Sequence, residues 1–340
     1  MKIALDAMGH DEGPAPLLAG AVLALERITG LSRLFLCGDA PRLEAELKRI
    51  GCNDGRLEIV HCSQVIEMND SATDALRKKK DSSVSRAVDL VKKGEAEAIV
   101  SAGHTGAAVA ASTVKLRTLK GVDRPAIAAT MPTETNLFVL VDAGANTDPT
   151  PAQMLQNAIM GSVYSRHVLG YENPTVGLMS IGTEDEKGND FTRESFDLLK
   201  GSGLNFRGNV EGHDLFEKPV EVVVADGFTG NIVLKTSEAI AHAIFRWMKH
   251  EIKKGVVTTL GGFLALPALK RIHRKTNSDE YGGMPLLGVN GVCIIAHGGS
   301  SPVAIKNAIR MAAESIRHQV NPHIVEAMQT LVPSAPDPAA

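Results

Sequence analysis

Residues 220–236 read VEVVVADGFTGNIVLKT, and this stretch decides the fold class. Valines at 222–224 run into Ala225 and Asp226 as a short buried strand. Gly227, Phe228, Thr229, Gly230 and Asn231 then turn the chain, and Ile232 opens a segment with helical spacing. Strand, glycine-rich turn and helix recur along the chain. KIALDAM, RLFLCG, LEIVHC, AEAIVSAG, PAIAATMP, LFVLVDAG, TVGLMSIG and VCIIAHG read as further strands, with helix-like segments between most of them. Ile240, Ala243, Ile244 and Trp247 show the three-and-four spacing of one such helix. The alternation predicts an α/β fold with a largely parallel sheet flanked by helices. The polar link in TMPTETNLFVLVD is too short for a crossover and predicts a local hairpin.

Composition bounds the function. The 340 residues are 44% hydrophobic and 22% charged, enough for an ordinary core and unlike a disordered chain. Aromatics are 4%, so Val, Ile, Leu and Ala must fill that core, as in buried parallel strands. A net charge of -3 gives no reason to expect nucleic acid as a partner. Cys37, Cys52, Cys62 and Cys293 form no Cys-x-x-Cys pair, which fits a reducing cytoplasm. MKIALDAMGH reads as a first strand ending at Asp6 rather than a signal peptide, and no apolar run reaches the length of a membrane span. No composition break or fixed-period repeat divides the chain. Residues 1–330 are expected to form a single catalytic domain, with 331–340 a flexible tail rich in Pro and Ala.

Ligands of open α/β sheets collect where strands end and helices begin. Five such ends carry glycine with Thr, Asn or Ser: SAGHTGAA from Ser101, DAGANTD from Asp142, IGTEDEKGND from Ile181, DGFTGN from Asp226 and AHGGSS from Ala296. Glycine lets backbone approach a ligand, and the following helix offers free N–H groups to an anion. The opening stretch therefore reads as a phosphate or carboxylate cradle with Lys235 as counter-charge. The same residues also make an ordinary turn and helix cap, and both readings stand at this point. His104 and His297 are candidates for donating a hydrogen bond or moving a proton, or for capping. Lys187, in the charged TEDEKG loop, joins them if it turns inward. No dinucleotide fingerprint, P-loop, nucleophile elbow or metal-ligand spacing occurs, so neither cofactor nor metal is expected.

Two further stretches stand out. RKKKDSS, residues 77–83, is the densest basic run: a solvated turn or a dock for an acidic partner. Near residues 247–275 an apolar stretch, VVTTLGGFLALPAL at 256–269, lies between Lys249, Lys253 and Lys254 and Lys270, Arg271, Arg274 and Lys275. It suits a protruding helical insert in shallow contact with an anionic membrane, a helical hairpin in a dimer interface, or both.

Eleven pieces in order carry a resemblance: DAMGHDEGP, VIEMND with RKKKDSS, SAGHTGA, DRPA, DAGAN, AIMGSVY, GTEDEKGN, FRGNVEG, DGFTGNIVLKT, YGGMPLLG and AHGGSS. From Lys2 to about Val320 the chain resembles the bacterial phosphate acyltransferases of phospholipid synthesis, which move an acyl group from acyl-carrier protein to inorganic phosphate. It departs from their pattern in His10, in His104 where they have asparagine, and at Gly299 and Pro302. The resemblance implies a fold similar to isocitrate and isopropylmalate dehydrogenases and phosphate acetyltransferases, without a nicotinamide cofactor. It implies a homodimer, cytoplasmic and peripherally membrane-associated, whose acyl phosphate feeds a membrane-bound glycerol-3-phosphate acyltransferase. The chemistry suits a site without a protein nucleophile. Phosphate is itself an oxyanion, and the leaving thiol has an ordinary pKa near ~8.5. Positioning, worth about 7–11 kcal/mol, and oxyanion donors, about 3–4 kcal/mol each, then carry the rate. On this reading Gly227, Thr229, Gly230 and Asn231 hold phosphate, with Asp226 at the head of their loop and Lys235 or Lys187 nearby. Gly103, His104, Thr105 and Gly106 supply donors, Asp6, Asp142 and Asn146 order the cleft, and His297 completes it. The alternatives are an acyl-CoA-dependent phosphate acyltransferase on the same fold and a non-catalytic membrane-surface scaffold.

Overall fold

The structure is a computed structural model that describes residues 1–67, 69–217 and 220–331; the expected tail lies, from residue 332 on, outside the described residues. Its strands are β1 (Lys2–Asp6), β2 (Arg33–Gly38), β3 (Leu57–His61), β4 (Ala98–Ser101), β5 (Ala126–Pro132), β6 (Leu137–Val141), β7 (Val176–Met179), β8 (Phe206–Val210), β9 (Val222–Val224), β10 (Met284–Leu287) and β11 (Val292–Ile295). They form one sheet in the order β3-β2-β1-β4-β11-β10-β5-β6-β9-β7-β8. Seven of the ten described pairings are parallel, giving the mixed α/β architecture. Buried aliphatic residues cover both faces: Ile3, Leu5 and Val100 pack on one, Ala4, Ile99 and Val223 on the other. That two-sided burial is why the strands read as near-continuous apolar runs.

The antiparallel pairs lie together at the middle, β11–β10, β10–β5 and β5–β6. The last is the hairpin foreseen in TMPTETNLFVLVD, closed by Thr133 N–H donating to the Asn136 carbonyl at 2.9 Å. Three reversals set β6, β9 and β7 running opposite to β1, β4 and β11. A flat sheet would then hold the two groups of glycine loops at opposite edges. Strand twist of about 20–25° per step accumulates to about 100–125° over the five steps from β4 to β9, turning the loop groups toward one another.

The helix Gly227–Ile252 crosses between them. It continues past the body, turns at residues 253–255, and returns as the helix Val256–Thr276, none of whose residues is buried. The expected stripe of Ile240, Ile244 and Trp247 lies on this helix but is 53%, 43% and 66% exposed. Ile240 and Ile244 line a cavity between this helix and the body, together with Leu234, Ala241, Phe245 and Met248.

Candidate active site

The loop after β1 and the loop after β4 are pressed together. A Cβ on Gly9 would come 2.7 Å from the Gly103 Cα and 2.9 Å from Asp6 Oδ2, so this approach excludes any side chain. Asp6 is buried and accepts from the Ser101 hydroxyl at 2.8 Å. Burial pushes its carboxyl above the usual range, with Ser83, Ser101 and the Met8 and Gly9 amides opposing. His10 accepts at Nδ1 from the Glu12 amide at 3.0 Å, which leaves the proton on Nε2 to donate to the Ser300 carbonyl at 2.9 Å. The Asp11 amide donates to the Gly298 carbonyl at 3.0 Å. The first loop thus ties SAGHTG to AHGGSS, and His10 does the tying.

His104 is the N-cap of the helix Thr105–Leu116. Its Nδ1 accepts from the Ala107 amide at 3.1 Å, so Nε2–H donates to the Asp70 carbonyl at 3.0 Å. Both ring nitrogens are engaged, the arrangement of the capping alternative. The first two helical amides, of Thr105 and Gly106, have no acceptor within the helix, as at any N-terminus. Asp70 also pairs with Lys79 at 2.5 Å, and Lys79 donates to the Val65 carbonyl at 2.8 Å. One lysine of the basic run is therefore structural, while Arg77, Lys78 and Lys80 are exposed beside the capped helix.

DAGAN and DGFTGN form a second tight pair, and here the expected cradle is filled. The buried Asp142 carboxylate accepts four main-chain N–H groups, from Ile127 at 2.9 Å, Gly144 at 3.0 Å, Ala145 at 2.9 Å and Asn146 at 2.6 Å. Burial pushes this carboxyl above its usual range, against the pull of those amides. Asp226 accepts from the Phe228 and Thr229 amides at 3.0 and 2.9 Å and from the Thr229 hydroxyl at 2.7 Å. Gly227 N–H donates to the Asn146 carbonyl and Gly230 N–H to the Asp226 carbonyl, each at 2.9 Å. The amides of 227–230 are thus occupied, and a carboxylate already sits at the helix N-terminus. Gly227 and Gly230 have a steric reason to be glycine. A Cβ at 227 would lie 2.5 Å from the Asn146 carbonyl oxygen, and one at 230 would overlap the Asp142 carbonyl oxygen. Asn146 donates from Nδ2 to Gln153 at 3.0 Å, and Asn231 packs against Gly144.

The helix that DGFTGN opens reaches the first loop group. Glu238 Oε1 lies 3.4 Å from His297 Nε2, and this carboxylate raises the imidazole pKa while the nearby Lys235 charge opposes it. Lys235 and His297 therefore share one electrostatic neighbourhood. Lys187 pairs within its own loop, 3.9 Å from Glu184, and is half exposed. Sequence reasoning missed Glu238 and Asp70. The Lys235–Glu238 spacing of three was the legible sign for Glu238, whereas Asp70 acts through a carbonyl and left none.

The family described as "Fatty acid synthesis protein" matches residues 1–323. The chain belongs to this family. It is 47% identical over 333 residues to a protein named phosphate acyltransferase from Geotalea daltonii, covering 98% of this chain and 96% of that one. A phosphate acyltransferase from Pelobacter propionicus is 49% identical over 326 residues, covering 96% and 94%. Among solved structures, a phosphotransacetylase from Streptococcus pyogenes superposes with a TM-score of 0.61 at 20% identity, over 93% of this chain and 94% of that one. The EutD phosphotransacetylase of Staphylococcus aureus gives 0.58 at 16%, over 97% and 94%. These two likenesses show the fold. Among the described residues no helix is long and apolar enough to cross a membrane.

Proposed function

We propose that the protein transfers a long-chain acyl group from the thioester of acyl-carrier protein to inorganic phosphate, releasing acyl phosphate for phospholipid synthesis. The observation that carries this reading, beside family membership, is the pair of unclaimed amides at Thr105 and Gly106. The Gly227–Ile252 helix in turn brings Lys235 and Glu238 to His297 in the AHGGSS loop, which the first loop ties to SAGHTG. A phosphate oxygen accepts from the helix N-terminus, whose dipole favours the charge. Lys235 balances a second oxygen, and a third attacks the thioester carbonyl. The C–S bond breaks from the tetrahedral intermediate, and the thiolate leaves with a proton from solvent or from protonated His297. No acyl-enzyme forms.

The acidic carrier protein docks on Arg77, Lys78 and Lys80, whose helix is linked through Asp70 to the His104 cap. The α/β body belongs with the isocitrate and isopropylmalate dehydrogenase class and forms one catalytic domain. The helical hairpin, with Val256, Leu260, Phe263 and Leu264 exposed between basic shoulders, serves a homodimer and peripheral contact with the inner face of the membrane. There it delivers acyl phosphate to a membrane-bound glycerol-3-phosphate acyltransferase.

The test is turnover with phosphate and hexadecanoyl-acyl-carrier protein, trapping acyl phosphate as its hydroxamate. Product from the carrier-protein thioester in preference to the coenzyme A thioester is expected. Preference for coenzyme A assigns the donor otherwise, and no product from either refutes the reading.

A further inference from the structure

A cavity of about 640 Å³ lies beneath the Gly227–Ile252 helix, between it, the end of β5, the start of β10 and the end of β11. The helix face from Leu234 to Met248, with Glu238, Ala241 and Phe245 flanked by Ile240 and Ile244, forms its roof. The fourteen-residue advance from Leu234 to Met248 makes that roof about 21 Å long at ~1.5 Å per residue. At the ~30 Å³ that one water occupies in the liquid, the volume accommodates roughly twenty non-hydrogen atoms.

Its polarity is graded. Ala296, His297 and Ser300 belong to the AHGGSS loop and form one end, beside the His297–Glu238 pair. Phe245, Met248 and Ile272 form the other, where the hairpin leaves the body. Most polar side chains between are spent within the protein. Lys275 donates to the Glu134 carbonyl, and the Tyr281 hydroxyl donates to the Lys275 carbonyl at 2.7 Å. Asp279 accepts from the Ser301 hydroxyl at 2.6 Å, and the Thr276 hydroxyl donates to the Ile272 carbonyl at 3.1 Å. What remains for a ligand is a long apolar channel with a polar mouth at the catalytic loops. Buried apolar surface left to water is unfavourable, and a polar group without a partner would be worse there. The matching ligand is an unbranched amphiphile with one reactive polar end.

Taking the proposed reaction as given, we infer that this cavity holds the acyl chain of the thioester donor and sets its length. The carbonyl sits at the His297–Ser300 end and the methyl end lies against Phe245, Met248 and Ile272. The hairpin stem is the ruler's end stop, and Ala241, midway along the roof, is where added bulk shortens the accepted chain.

Two variants and two readouts test this. Ala241→Phe is expected to lower the ratio of kcat/KM for hexadecanoyl over octanoyl donor by about tenfold or more, at about fourfold per methylene denied a place. Phe245→Ala, which opens the far end, should move the ratio the other way. Binding of cis-parinaric acid, a fluorescent long-chain fatty acid, should be seen in the wild type and weakened in Ala241→Phe. An unchanged chain-length ratio in both variants, each with native circular dichroism, overturns the inference. So does parinarate binding that Ala241→Phe leaves untouched. If Ala241→Phe does not fold, Ser237→Leu, one turn away on the same roof, replaces it. A wild type that makes no acyl phosphate defeats the functional reading instead, and parinarate binding still decides what the cavity holds.

Discussion

Replacing Asp142 separates its two oxygens. Oδ1 accepts from Ile127, Gly144 and Ala145, and Oδ2 from Asn146. In Asp142→Asn the carbonyl oxygen keeps the three-donor side, because the flipped amide would set its NH₂ against three N–H groups. Only the Asn146 N–H then meets a donor. The loss is one hydrogen bond to a charged group, about 1.5–3 kcal/mol. Asp142→Ala strands one buried and three part-buried donors, at about 1–3 kcal/mol for each that water does not reach, so about 4 kcal/mol. That is a large share of the stability of a protein holding about 5–15 kcal/mol. Equilibrium urea denaturation measures both. The expected order is wild type, Asn, then Ala, with Ala near unfolding in buffer. Burial raises the Asp142 carboxyl, so the native state binds more protons than the unfolded chain. Its contribution is full below the ordinary aspartate value near ~3.9 and is lost as pH rises through the raised one. Asp142→Asn should flatten that slope. An alanine variant within about 1 kcal/mol of wild type, or equal losses in Asn and Ala, would refute the four-donor account.

Gly230→Ala places a methyl group on the Asp142 carbonyl oxygen and should cost about 3 kcal/mol or more by urea denaturation. Lys235→Ala should raise KM for phosphate about tenfold or more, whereas Lys187→Ala, whose partner is its own Glu184, should change it less than about twofold; phosphate titrations of acyl-phosphate formation compare them. The Glu238 carboxylate holds the His297 pKa above the ordinary imidazole value, so the native state gains from this pair at low pH and loses it as pH rises through the raised pKa. Glu238→Gln should lower that midpoint, read by NMR titration of the His297 ring. Leu260→Asp with Phe263→Asp puts two charges on the exposed hairpin face. Catalysis on soluble donor should persist while sedimentation with anionic vesicles drops.

Nine strands were legible as apolar runs, most of them closed by glycine or aspartate, because burial on both faces suppresses alternation. The two that were not, β8 and β10, show why. FRGNV carries Arg207, Gly208 and Asn209, and pairs along one edge with β7 alone. MPLL is four residues with a proline, and its strand character comes from antiparallel neighbours on both sides. Neither signal is local. The helix around Ile240 was legible as a helix but not in its orientation. Its stripe of Ile240, Ile244 and Trp247 satisfies the same periodicity as a core face, yet all three are largely exposed, and Ile240 and Ile244 line an open cavity rather than a packed core.

The same distinction governs the glycine loops. SAGHTG and DGFTGN look alike in composition, and both open long helices with a capping side chain. What separates them is the charge of the cap. Asp226 brings a carboxylate to the helix N-terminus and consumes the amides of Phe228 and Thr229, so a second anion would meet a like charge with fewer donors left. His104 caps with a ring nitrogen that carries no negative charge, takes one amide at Ala107, and leaves those of Thr105 and Gly106 facing outward. A neutral cap leaves a helix N-terminus more open to phosphate than a carboxylate cap does. The residue just before the first helical turn therefore tells the two loops apart: a neutral ring at His104 and a carboxylate at Asp226.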